Sequence, residues 1–191
     1  MSSRRMFAGI AAVAMLAAFP AAAQKSKDEM RVAINDMFPV IDHYVFPQDE
    51  AAIWYRMLYS PLITFYEHAQ KFIPAIAKSW KEVKPGVFEF DLREDVVFSS
   101  GNKLTADDVV YTINLFADPK SKIRFKTRYD WMEPVEKLGP YKVRIKSKNP
   151  SPGDLSTLAY RSKIYDKTVH EKLEKYEDYG RVSGSGTGVA P

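Results

Sequence analysis

Residues 87–93 read Val-Phe-Glu-Phe-Asp-Leu-Arg, an unbroken alternation of apolar and charged side chains. A period of two fits a strand and not a helix, because successive side chains of a strand point to opposite faces. Phe88, Phe90 and Leu92 share one face, and Glu89, Asp91 and Arg93 share the other. The pattern predicts a half-buried strand of an antiparallel sheet, since strands buried on both sides read as continuous apolar runs. Lys84-Pro85-Gly86 precedes it as a turn, so Ser79–Val83 is expected to pair back as a hairpin. Val96–Phe98 makes a further short strand before the turn Ser99-Ser100-Gly101-Asn102. A second hairpin is expected around Gly139-Pro140, with Val143 and Ile145 inward against Lys142, Arg144 and Lys146.

Helical periodicity appears between these strands. Thr105 is placed to cap a helix over the following residues, with Asp108 at its third position and Val109, Ile113 and Phe116 as an inward stripe. Asp118-Pro119 closes it. Ile53, Met57 and Leu58 mark an earlier helix, behind Asp49 and Glu50 and ended by Pro61. Residues 151–160 open a short helix, and 165–180 are polar and helix-compatible. Met30–Asn35 reads as a short buried strand, followed by an irregular stretch broken at Pro39 and Pro47. The expected fold class is α/β in the mixed α+β sense, too irregular in its alternation for a doubly wound sheet.

The N-terminus reads as an export signal. Arg4 and Arg5 precede an apolar stretch too short to span a bilayer, and Ala21-Ala22-Ala23 supplies a small-residue cleavage site before Gln24. Ser3–Phe7 matches the start of a twin-arginine signal, while the short charged region suits Sec, so both routes stay open. The chain carries 28 basic and 24 acidic residues, and loss of Arg4 and Arg5 brings its net charge from +4 to about +2. That near-neutral balance argues against nucleic acid as a partner, although Lys120–Trp131 mixes bases with aromatics. There is no cysteine, which excludes disulfides, thiolate metal sites and cysteine nucleophiles.

Catalytic signatures are sparse. His43, His68 and His170 are scattered without metal-site spacing and read as surface or loop residues. Asp107 and Asp108 are adjacent on a helix, point in different directions, and read as helix-capping acids. The closing Gly184-Ser185-Gly186-Thr187-Gly188 lacks the lysine of a P-loop and any following helix, and by composition alone reads as a flexible tail.

Taken together, residues 72–116 resemble the signature region of the family 5 extracytoplasmic solute-binding proteins, the peptide/nickel-type receptors of ABC importers. The resemblance rests on Pro74, Ile76, Ala77 and Trp80, then on Phe88, Phe90, Leu92, Arg93, Val96 and Phe98. It continues through Gly101, Leu104, Thr105, Ala106, Asp108, Val109 and Tyr111. These are mostly core, turn and cap positions, so they report fold rather than ligand contact. The family's Gly-Thr-Gly-Pro-Tyr junction is matched at Gly186-Thr187-Gly188, but Val189 and Ala190 stand where Pro and Tyr are expected.

The resemblance implies a periplasmic-binding-protein-like type II lobe, incomplete and with a hairpin-rich subdomain. Residues 1–23 would be the signal peptide, and 24–191 the first lobe, cut before the second. It implies a periplasmic receptor that captures a small solute, a di- or oligopeptide foremost, and delivers it to an ABC permease without catalysis or cofactor. By similarity with peptide-binding relatives, Val45, Phe46, Gln48 and Asp49 would line the ligand cleft; read as residues alone, Phe46 is equally a core residue and Asp49 a helix start. The alternative is a truncated, non-transporting interaction module or the product of a decayed gene.

Overall fold

The computed structural model describes residues 44, 55–121, 123, 126–175 and 178–179. The expected strand at 30–35, the signal segment, the four cleft residues and the closing glycine-rich run all lie outside them.

The alternating segment is strand β4, Val87–Leu92, and it sits inside a four-stranded antiparallel sheet. Its neighbours are β3 (Ala77–Lys84) on one side and β6 (Lys142–Lys146) on the other, with β5 (Glu136–Gly139) at the far edge. Trp80 lies opposite Phe90, which in turn lies opposite Val143, and Phe88 lies opposite Ile145. Phe88, Phe90, Leu92, Val143 and Ile145 are buried. Helix α1, Ala106–Ala117, packs against β5 and β6, and the same core takes in its Val109, Ile113 and Phe116.

Both hairpin turns are built as their residues demand. Pro85-Gly86 joins β3 to β4 with Gly86 at φ +71°, a left-handed conformation that suits glycine after a turn proline. The Glu82 carboxylate accepts the Gly86 N–H at 2.8 Å. In the second loop the Pro140 carbonyl accepts the N–H of Ala106, tying the sheet to the start of α1. That start carries the expected capping box: Asp108 Oδ2 accepts the Thr105 N–H at 2.8 Å, and the Thr105 hydroxyl caps the first turn.

A separate hairpin, β1 (Ile63–Tyr66) with β2 (Lys71–Pro74), precedes the sheet and was not legible in the sequence pattern. Helix α2, Asp154–Arg161, packs on β1, and α3, Lys167–His170, packs on α1. Among the described residues of the polar segment 165–180, the α-helix is the four-residue Lys167–His170.

Three further expectations need correction. Residues 55–58 are helical, but Met57 is 58% exposed and Leu58 38%; Tyr55 and Tyr59 turn inward instead, because their rings join the core. Glu89, expected on a solvated face, is buried beneath three long basic side chains. His170 is buried rather than on the surface, with its ring stacked on Tyr165 at 4.3 Å.

Candidate functional site

The residues from which a ligand contact was expected, Val45, Phe46, Gln48 and Asp49, lie outside the described residues. Tyr44, next to them, is described and buried. Its hydroxyl donates to the carbonyl of Lys163 at 2.5 Å, with the carbonyl of Arg161 also 2.9 Å away, and its ring lies 3.7 Å from that of Phe116. The chain is therefore fastened to the core immediately before the expected cleft segment.

Charged chemistry concentrates in three places. The first is a cross-strand row, Lys81, Glu89, Arg144 and Glu136, one residue from each strand of the sheet with alternating sign. Arg144 Nη2 reaches Glu89 at 2.7 Å and Nη1 reaches Glu136 at 3.0 Å, while Lys81 and Lys142 approach Glu89 at 3.4 Å. The Arg144 hydrogen bond outweighs the cost of burial and pulls the Glu89 carboxyl down to about 2. Every charge in this row is matched, as in a structural ladder.

The second place joins the ends of two helices. Asp108 Oδ1 accepts the Lys167 N–H at 3.0 Å while Oδ2 holds Thr105, so a single carboxylate caps α1 and meets the start of α3. Burial raises its pKa against these hydrogen bonds. Asp166 accepts from the Ser100 hydroxyl at 2.6 Å, from the Asn102 amide at 2.8 Å and from the Val169 N–H. His170 Nδ1 lies 2.7 Å from the Tyr111 hydroxyl, and burial pushes its imidazole down to about 4. Asp107 pairs with Lys137 on the surface at 2.8 Å. Asp107 and Asp108 thus do separate work, as their directions on the helix required.

The third place is a pocket of about 120 Å³ lined by Arg56, Pro61, Thr64, Phe65, Ala159, Tyr160 and Lys163. It brings together two cations that sequence spacing, 107 residues apart in number, had no means of linking. A larger groove of about 340 Å³ opens beside the Pro85-Gly86 turn, against Phe88, Pro150, Pro152 and Leu155. Among the described residues, no three His, Asp or Glu side chains cluster as a metal site would need, and no helix is long and apolar enough to cross a membrane.

Comparison with known proteins adds the context that geometry lacks. The family model described as "Bacterial extracellular solute-binding proteins, family 5 Middle" matches residues 71–188. The oligopeptide-binding protein AppA of Bacillus subtilis (strain 168) is 30% identical over 112 residues, 58% of this chain and 20% of AppA. Its solved structure with a nonapeptide superposes with a TM-score of 0.70 at 25% identity, over 78% of this chain and 30% of that one. Di/tripeptide-binding protein 2 of Pseudomonas aeruginosa (strain UCBPP-PA14) is 30% identical over 121 residues, 53% of this chain and 23% of the relative. NikZ from Campylobacter jejuni, solved with Ni(L-His), gives a TM-score of 0.66 at 28% identity, over 76% of this chain and 29% of NikZ. The chain spans about a fifth of the length of the curated relatives it matches.

Proposed function

The chain belongs to the family 5 bacterial extracellular solute-binding proteins, and from that premise we propose that it is part of a solute-binding receptor serving an ABC importer. The observation that carries the reading is the family match over 71–188, which covers the sheet, α1, α2 and α3 together. The mixed α/β fold agrees with it, at a TM-score of 0.70 to an oligopeptide-binding protein.

In this reading residues 1–23 direct export and 24–191 form part of the first lobe of a two-lobed receptor outside the cytoplasmic membrane. A small solute, a di- or oligopeptide foremost, sits between the lobes, which hinge closed because the closed state makes more contacts with it. The closed form is presented to a membrane permease, and the solute leaves unaltered. Val45, Phe46, Gln48 and Asp49 are proposed to face the solute, in part through backbone pairing with an extended peptide. The anchored Tyr44 supports that placement by fixing the chain next to them.

A one-lobe surface cannot enclose a ligand, and enclosure is what gives such sites their affinity. Calorimetric titration with a panel of di- and oligopeptides tests the reading. We expect the 191-residue chain to bind weakly, and the protein extended to the length of its relatives to bind tightly without altering the peptide. Tight binding by the short chain would overturn the two-lobe reading, and hydrolysis of the peptide would overturn the receptor reading.

A further inference from the structure

Lys163 is only 4% exposed, yet it forms no ion pair among the described residues. The other buried charged groups differ: Glu89 faces three cations, and Asp108, Asp154 and Asp166 each accept backbone N–H groups. A buried ammonium without an anion is costly, and such groups are ordinarily paired or neutralised. The charge of Arg56 makes the imbalance worse. Arg56, on the helical residues 55–58, lines the same pocket, its guanidinium 5.5 Å from the ring centre of Tyr160 on α2. Among the described residues, the lining contains no acidic side chain. Burial, reinforced by the Arg56 charge, lowers the Lys163 ammonium to about 8.

We propose that this pocket, between residues 55–58, β1 and α2, is an anion site that takes a carboxylate, gripped by Arg56 at the exposed side and by Lys163 from beneath. The packing around it is already in place. The Tyr160 face holds the guanidinium through a cation–π contact, leaving its N–H fork for a planar anion. Thr64 and Phe65 close the β1 side. A space of about 120 Å³ holds a carboxylate together with a water or two, each water occupying about 30 Å³ in the liquid. A carboxylate supplies two acceptor oxygens, one for each cation, and removes the like-charge repulsion between them. The inference concerns this lobe's own surface and stands whether or not the receptor reading holds.

The test follows the Lys163 ε-carbon by NMR in the 191-residue chain labelled with 13C-lysine, adding acetate against chloride at matched ionic strength. Acetate should raise the Lys163 pKa saturably, and Arg56→Gln should weaken acetate binding about tenfold or more. Lys163→Met, which keeps the volume and removes the charge, should abolish the acetate response of the Tyr160 ring signals. A Lys163 signal that responds to acetate as it does to chloride overturns the proposal, as does an Arg56→Gln chain that responds like the wild type. The source of the carboxylate is read from the protein at its relatives' length, dialysed free of small acids. A Lys163 signal already at the anion-bound position assigns the group to the protein's own chain, and a response only on adding acid assigns it to a free solute.

Discussion

At the scale of single residues, the fold depends on a few side chains that a composition count would pass over. Gly86 is one. Its φ of +71° disfavours any side chain, and a Cβ there would meet Pro150 Cγ at 2.7 Å and Cβ at 2.8 Å. The proline ring cannot swing aside as a lysine would. Gly86→Ala should therefore destabilise the chain by about 1–3 kcal/mol, from the strained conformation and the clash together, measured as a fall in urea midpoint at unchanged slope. His170 is another. Its folded pKa, about 4, is depressed from 6.5, so above pH 6.5 the imidazole is neutral whether folded or unfolded. As pH falls below 6.5 the unfolded state takes up the proton first, and stability is lost until the folded pKa is reached. The loss amounts to roughly 3 kcal/mol at most between those limits. Urea titrations at pH 7 and pH 4.5 should show a smaller acid loss in His170→Gln than in the wild type. An equal loss in both would contradict the assignment.

Among the elements, hydrophobic period and turn chemistry were the readable signals, and distant pairing was not. The β3–β4 hairpin, the Gly139-Pro140 hairpin and α1 were legible because each writes its own local rule: alternation, a proline–glycine turn, or a capping box. Residues 62–74 carry no clean alternation, so β1 and β2 escaped notice; they pair at Phe65–Phe72, an aromatic contact that only the hairpin brings together. Glu89 looked solvent-facing because period two distinguishes the two faces of a strand and not what covers them. Its burial comes from Arg144 and two lysines contributed by β3 and β6. Asp108 was legible as a cap for α1, but its second role, accepting the Lys167 N–H across 59 residues, was not. Asp108→Asn has one acceptor oxygen for two sets of donors and turns an N–H₂ group toward one of them. It should cost about 1–3 kcal/mol, read in the unfolding midpoint, with the larger loss of hydrogen-exchange protection in the first turns of α1 and α3.

On the scale of the whole molecule, the sequence spoke more clearly about ancestry than about ligand. The matched positions run through core, turn and cap residues such as Phe90, Gly101 and Thr105, where physics restricts the choice and the pattern stays recognisable. Ligand contacts follow no such periodic rule. The pocket of Arg56 and Lys163 shows why: its two cations come from opposite ends of the described chain, and only folding sets them around one space. The relatives named above include proteins solved with a nonapeptide and with Ni(L-His), so a shared scaffold accommodates unlike solutes. The most direct test of the receptor account is mass spectrometry of what denaturation releases from the protein purified at its relatives' length. The account predicts a chemically intact small solute, peptide-like and near one per protein, with none released from the 191-residue chain. Release of a covalently processed product, or a longer protein that carries no solute and takes up none from a peptide panel, would contradict it.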